Sequence, residues 1–419
     1  MTEQFLHYIW KYRLFDHRNL ITTKGEVVEV KNPGIHNQDA GPDFSHAKVR
    51  IHGTLWAGNV ELHLFASQWN QHGHQNNEAY DNVILHVVYE HDADNDDGIP
   101  VLELRHHISS DILLNYERMM LIKDGLPCSN HLPVIDDFTA SNWLERMLIE
   151  RIEDKTKVID ESLKQNSNNW EQTFYHLLAR NFGFKTNALP FELLAKNTPV
   201  EYLAKHKDQL LQIEAMLFGN AGLVPVNPNN EYEANLAREY NLLKNKFNSI
   251  STNKSLWKFL RMRPFNFPTV RIAQFAALIH KSAHLFSKII DVKNLKEIHQ
   301  LFDVHASQYW DEHYHFGKKA DVQKKHLGTD AINNITINTI VPLLFYYGKI
   351  KDSERHVKLS LKLLEEIPAE RNNITKKFLT LNVQNDKASI SQAFIQLHNN
   401  YCMHKKCLQC AIGLKIMKQ

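Results

Sequence analysis

The sequence predicts an α/β plus all-α chain, with a mixed sheet and flanking helices in the first 125 residues and a large α-helical region after them. Three observations carry this. Short runs rich in Val, Ile and Leu, separated by Gly, Pro, Asn and Asp, crowd into residues 27–104, the texture of strands joined by turns. From residue 142 onward the apolar positions recur at helical spacing instead. Only 15 Gly and 13 Pro occur in 419 residues, about half the usual share, which favours long helices over a turn-rich all-β architecture. With 43% hydrophobic and 23% charged residues, wholesale disorder, collagen and a coiled-coil rod are excluded. The length suits two or three domains, read here as 1–125, 126–395 and a Cys-rich segment 396–419.

Each element follows from its own pattern. Phe5, Leu6, Ile9, Trp10, Tyr12 and Phe15 share one helical face, with Glu3 near the start of that helix. Strands are expected over 27–30, 47–51, 55–64, 82–89 and 101–104. His52-Gly53 between the second and third reads as a tight hairpin turn, because Gly tolerates positive φ. The α/β unit should end near Asp124, and the texture turns helical after Pro133. Helices are then predicted over 142–163, 202–218, 270–290, 335–346, 356–366 and 389–398.

Charge and compartment narrow the class of function. Residues 1–125 carry 10 Lys+Arg against 18 Asp+Glu, whereas the remainder carries 39 against 29. An acidic part joined to a basic one suits a metal-dependent enzyme acting on a polyanion, with carboxylates for cations and Lys or Arg for phosphates. The opening MTEQFLHYIWKYR is acidic and amphipathic, unlike a signal peptide. The longest apolar run, 335–347, is interrupted by Asn338 and Pro342 and is too short to span a bilayer. A cytoplasmic protein without a membrane partner is expected. Four cysteines, three of them within nine residues, are unlike a secreted disulfide framework and point to metal or cluster binding.

The segment Asp39-Ala-Gly-Pro-Asp-Phe44 is followed, 18 residues after Asp43, by Glu61-Leu62-His63. Residues two apart on a strand share a face, so Glu61 and His63 point one way while Val60, Leu62 and Leu64 enter a core. A hairpin about His52-Gly53 returns that strand beside Asp43. Two carboxylates with several waters are the usual protein share of a Mg²⁺ site. The pattern Pro42-Asp43 then Glu61-Leu62-His63 resembles the signature of the PD-(D/E)XK, or restriction-endonuclease-like, nuclease superfamily, except that His63 stands where that signature has Lys. Through AGPDF, GNVELH, AYDNVILHVV, RPFNFPTVR and the terminal CLQCAIG, the whole chain is similar to the bacterial domain of unknown function family 2851.

The superfamily resemblance implies a restriction-endonuclease-like sheet and Mg²⁺- or Mn²⁺-dependent phosphodiester hydrolysis. It implies Asp43 and Glu61 as metal ligands and Glu3 as a further carboxylate. His63 then occupies the place of the Lys that orients or deprotonates water. An imidazole is no permanent cation, but it accepts a proton.

Histidines add a second theme, since 13 of the 25 fall in the first 131 residues. If the strand carrying His86 lies beside that of Glu61, His86 and His63 face one cleft. His72, His74 and His86 alternatively suit a Zn²⁺ hydrolase. At the other end, Cys402-x4-Cys407-x2-Cys410, joined by Cys128, offers four thiols for Zn²⁺ or a [4Fe-4S] cluster. Their order resembles the cluster staple of some exonuclease-type members of the same superfamily. Arg261, Arg263 and Arg271 in RMRPFNFPTVR are the candidate nucleic-acid contacts, and an Arg in the first turn of a helix requires compensation. The expected activity is metal-dependent cleavage of DNA or RNA. The alternatives are a non-catalytic nucleic-acid-binding or scaffold protein on a nuclease fold, and a zinc-dependent hydrolase.

Overall fold

The computed structural model describes residues 1–37, 39–93, 98–122, 125–129, 136–282, 284–381 and 385–417. Asp124 and Pro133, where the change of texture was placed, lie outside the described residues. The chain forms two compact units, one of Met1–Leu144, Asn372–Gln384 and Phe394–Gln419, the other of Glu145–Arg371 and Asn385–Ala393.

The first unit is built on a six-stranded mixed sheet. Helix α1 (Glu3–Tyr12) is capped by the Thr2 hydroxyl, which accepts from the Phe5 N–H, and it stops at Arg13 in the left-handed conformation. It buries Phe5, Leu6, Ile9 and Trp10 completely, and Phe5 stacks on Tyr116 at 3.9 Å. Strands β1 (Val28–Asn32), β2 (Ile35–His36), β3 (Phe44–Ile51), β4 (Thr54–Phe65), β5 (Val83–Glu90) and β6 (Val101–Glu103) follow, with helix α2 (Gln68–Gln71) after β4 and helix α3 (Ser110–Leu121) after β6. Strand β2 is too short to announce itself in the sequence, and it pairs with β3.

The hairpin joins β3 to β4 antiparallel, with Ile51 opposite Thr54. Its two loop residues, His52 and Gly53, both have positive φ, which matches the twist of the strands it connects. Beyond β4 the sheet is parallel, β4 to β5 and β5 to β6. Gly58 permits the first of these approaches, because a Cβ there would meet Ile84 Cγ2 at 2.5 Å and the Asn82 carbonyl at 2.7 Å. The residues C-terminal to Phe394 belong to this same unit, with Trp143 edge-on to Tyr401.

The second unit is helical. Its first helices are α4 (Asp137–Gln165, which begins in the first unit), α5 (Trp170–Phe182), α6 (Phe184–Asn197), α7 (Val200–Ala204), α8 (Leu210–Asn220), α9 (Glu231–Phe247) and α10 (Pro268–Lys281). Two expected helices divide. The 202–218 pattern breaks over the polar residues 205–209, and α8 restarts after an extended Gln209. The 270–290 pattern breaks at left-handed His284, and Leu285–Asp291 continues it. The stretch 335–346 holds a π-helical turn, Thr336–Ile340, and the ammonium of half-buried Lys155 bonds the carbonyl oxygen of Ile337 and Asn338 Oδ1 there. Among the described residues no helix is long and apolar enough to cross a membrane.

Candidate metal centre

Asp43 sits just before β3, and Phe44 pairs with Val60. That register brings Asp43 alongside Glu61, where the two lock together. The Asp43 N–H donates to Glu61 Oε2 at 3.0 Å, and the Leu62 N–H donates to Asp43 Oδ2 at 2.9 Å. The hairpin therefore brings the two carboxylates together, as the spacing predicts. Each keeps one oxygen, Asp43 Oδ1 and Glu61 Oε1, outside these bonds. His7 of α1 approaches Asp43 Oδ2 at 3.2 Å and Glu3 Oε1 at 4.0 Å. Glu3 is thus at the margin of the group.

Burial decides the electrostatics. Glu61 is only 5% exposed, and its carboxyl is pushed up to about 8, first by burial and then by the neighbouring Asp43. His63 lies on the same face of β4, as period-two alternation requires. Both faces of β4 are nevertheless covered, since Val60 and Leu62 are fully buried on the other side. The register sets Glu61 opposite His86 on β5, and His63 Nδ1 lies 2.9 Å from His86 Nε2. Burial holds His63 down to about 2 and His86 to about 4, with neighbouring imidazoles adding to both shifts. Both rings are therefore neutral at pH 7.

The remaining histidines arrive on the turn after β4. Helix α2 (Gln68–Gln71) buries Trp69, Gly73 takes a left-handed conformation, and His72 and His74 are swung back over the sheet. His63 Nε2 lies 3.1 Å from His72 Nδ1. Glu61 Oε1 lies 3.7 Å from His63 Nε2 and 3.4 Å from His74 Nε2. His74 stacks on Tyr80 at 3.9 Å and packs edge-on to Trp69, and burial lowers its pKa. His72 is exposed and opens the group to solvent.

Three ring nitrogens, of His63, His72 and His74, lie within 4.8 Å of one another. Bonds of about 2.0–2.1 Å to a tetrahedral ion place ligand atoms about 3.4 Å apart, close to the separations measured here. The buried His74 Nε2 and His86 Nδ1 lack hydrogen-bond partners. The His63, His72 and His74 nitrogens beside a raised carboxyl are a donor set that fits a divalent ion with affinity for nitrogen. Mg²⁺, which takes oxygen ligands, fits the imidazoles of this set less well.

Sequence reasoning placed Asp43, Glu61, His63 and His86 together and weighed His72, His74 and His86 as an alternative zinc set. It missed His7, whose only signal is its place four residues after Glu3 on α1, and Tyr80, the stacking partner of His74.

The four cysteines all lie in the first unit. All are free, and burial pushes each thiol up, with neighbouring thiols adding to the shift of Cys402, Cys128 and Cys407, Cys402 feeling Cys128, Cys410 and Cys407. Cys128 in turn feels Cys410 and Cys407. The Cys410 sulfur also faces the Gly413 and Ile412 N–H groups and the Trp143 indole. Gly413 makes this loop close, since a Cβ there would meet the Cys407 carbonyl at 2.3 Å.

The arginines divide. Arg261 and Arg263 are exposed. Arg271 is buried, and its compensation is local. It donates to Gln274 Oε1 at 3.0 Å and Asn266 Oδ1 at 2.6 Å, and its guanidinium lies 4.6 Å from the Phe184 ring centroid. That leaves Arg261 and Arg263 as the surface members of the motif.

The sequence profile of the family described as "Protein of unknown function (DUF2851)" matches residues 3–373, and the chain belongs to that family. No curated protein and no solved structure matches it.

Proposed function

We propose that this member of the family is a metal-dependent hydrolase of nucleic-acid phosphodiester bonds, with its ion held by Glu61, Asp43, His63, His72 and His74. The observation that carries the reading is the convergence of three imidazole nitrogens within 4.8 Å beside a Glu61 carboxyl that burial leaves protonated near neutrality. The donor set suits Mn²⁺ or Zn²⁺ better than Mg²⁺. When bound, such an ion supplies Lewis acidity at a phosphoryl oxygen and acidifies a water molecule.

The remaining roles belong to the chain. Glu61 gives up its proton to the solvent when it becomes a ligand, and His86 orients His63 through the ring contact of 2.9 Å. With its conjugate acid at about 2, His63 is a poor proton acceptor at neutral pH, so it serves as ligand rather than as base. The phosphodiester class rests on the resemblance of Pro42-Asp43 and Glu61-Leu62-His63 to the nuclease signature, and Arg261 and Arg263 are offered as phosphate contacts.

A second reading, a nucleic-acid-binding protein without turnover, is favoured by one observation. Neutral His63 cannot offset the negative charge that a Lys ammonium would meet at this position. Calorimetry with Zn²⁺ and Mn²⁺ on metal-stripped protein, followed by cleavage assays on single- and double-stranded DNA and on RNA, tests both. Binding that is lost in His72→Ala and His74→Ala, with ion-dependent cleavage, supports the hydrolase. Ion and nucleic-acid binding without cleavage supports the second reading. No divalent binding by the wild type removes the hydrolase, and no binding of DNA or RNA removes the second reading.

We further propose that either Zn²⁺ or a [4Fe-4S] cluster draws together Cys128, Cys402, Cys407 and Cys410, whose sulfurs, among the described residues, do not gather at metal distance by themselves; the support is the influence of Cys128, Cys407 and Cys410 on the Cys402 thiol and the N–H groups at Cys410. Anaerobically purified protein should contain iron and absorb in the visible range, or contain zinc that Cys407→Ala releases. Metal-free folded protein overturns the proposal.

A further inference from the structure

We propose that the helical unit carries a separate site for a small alkyl diamine or polyamine, in which Glu214 is the counter-ion. The site is a cleft of about 600 Å³ lined by residues of α8 and α9 and by residues 307–319. Glu214 of α8 lines it yet is only 1% exposed. Its Oε2 accepts the Tyr232 O–H at 2.9 Å, while its Oε1 has no hydrogen-bond partner. The Ser307 hydroxyl approaches the carboxyl without reaching hydrogen-bond geometry.

A buried carboxyl with one oxygen unanswered is costly to ionise, and burial accordingly pushes Glu214 up to about 7. It faces Tyr232 from α9 and Ser307 from the following loop, and no charged side chain stands against it. The charges nearer the mouth are Glu231 and Glu312, with Lys319 already 3.7 Å from Glu312. Carboxylates therefore exceed free cations, which disfavours an anionic ligand.

The walls select an organic cation over a metal. Tyr232 stacks on Tyr309 at 4.2 Å, and Tyr309 on His313 at 4.1 Å. The His313 Nδ1–H donates to the Tyr309 carbonyl, so this ring ladder is fixed in place. Leu210 and Leu211 add apolar wall for methylene groups. Among the described residues the ligand atoms that converge at metal distance are those of His63, His72 and His74, not those of this cleft. One ammonium paired with Glu214, methylenes along the leucines and a second ammonium toward Glu231 and Glu312 use every part of the wall.

The test is calorimetry of the full-length protein with putrescine and spermidine at pH 7.5, in two buffers of different ionisation heat. n-Butanol and glutarate serve as controls. Saturable amine binding with proton release is expected, weakened about tenfold or more in Glu214→Gln, which removes the charge and keeps the shape. Should that variant not fold, Tyr232→Phe and Glu312→Gln are each expected to weaken binding severalfold. The proposal is overturned by absence of amine binding, by binding unchanged in the folded variants, or by equal binding of butanol or glutarate.

Discussion

Replacing Glu61 by Gln should make the metal-free protein more stable, by an amount that grows with pH. The Glu61 carboxyl titrates near 8 in the folded protein against an ordinary value of 4.5. Between those values the folded state keeps a proton that the unfolded chain has released, so wild-type stability falls as pH rises through that window. At 1.36 kcal/mol per pKa unit, the full difference comes to about 5 kcal/mol, which is a ceiling because the site can relax and admit water. Gln mimics the protonated acid and still accepts the Asp43 N–H through its carbonyl oxygen. Urea unfolding with a chelator at pH 5, 7 and 9 should show the two proteins alike at pH 5 and diverging by several kcal/mol at pH 9. Adding Zn²⁺ or Mn²⁺ should then reverse the order, because only the wild type binds the ion tightly and gains stability by mass action. Parallel pH profiles for wild type and variant would show that Glu61 is not held neutral by its surroundings, and the electrostatic argument for the centre would fail.

Half-buried Lys155, lowered from 10.5 to about 7 mainly by desolvation, destabilises the fold most below pH 7, where it is charged in both states. Stability should therefore rise between pH 7 and 10, and Lys155→Met should flatten that slope in chemical unfolding. Gly58→Ala should cost about 1–3 kcal/mol through the clash with Ile84 and Asn82. By disturbing the pairing of β4 with β5, it should also weaken Zn²⁺ binding in calorimetry. His63→Lys restores the residue type of the nuclease signature, but it puts an ammonium between His72 and His86. It should lower ion affinity at least tenfold and fail to raise cleavage, and a gain of activity would mean that His63 is not a ligand.

Much of the first unit was legible because strands announce themselves locally. The 55–64 run anticipated β4 to within a residue at each end, and the His52-Gly53 turn followed from the demand for positive φ. Asp43 meeting Glu61 follows from hairpin register alone, since antiparallel pairing converts a sequence spacing into a distance. His86 beside His63 needed one further assumption, a parallel neighbour, and the sheet supplies it. Helices were less secure in their limits, because apolar spacing continues past residues 205–209 and past Ser282 and His284 while the backbone breaks at those residues.

Residue types and spacing by themselves determined the sheet, the hairpin, the helical remainder and the pairing of Asp43 with Glu61, all of which depend on interactions between near neighbours in the chain. Tertiary structure alone decided that His7 reaches Asp43 from α1 and that Tyr80 and Trp69 hold His74. It also decided that Cys128 shares a unit with the cysteines from the far end of the chain. These contacts join residues whose separation along the chain carries no period and no register. They exist because packing two helices and a turn onto one sheet leaves few positions for large side chains, and burial then sets which groups remain charged.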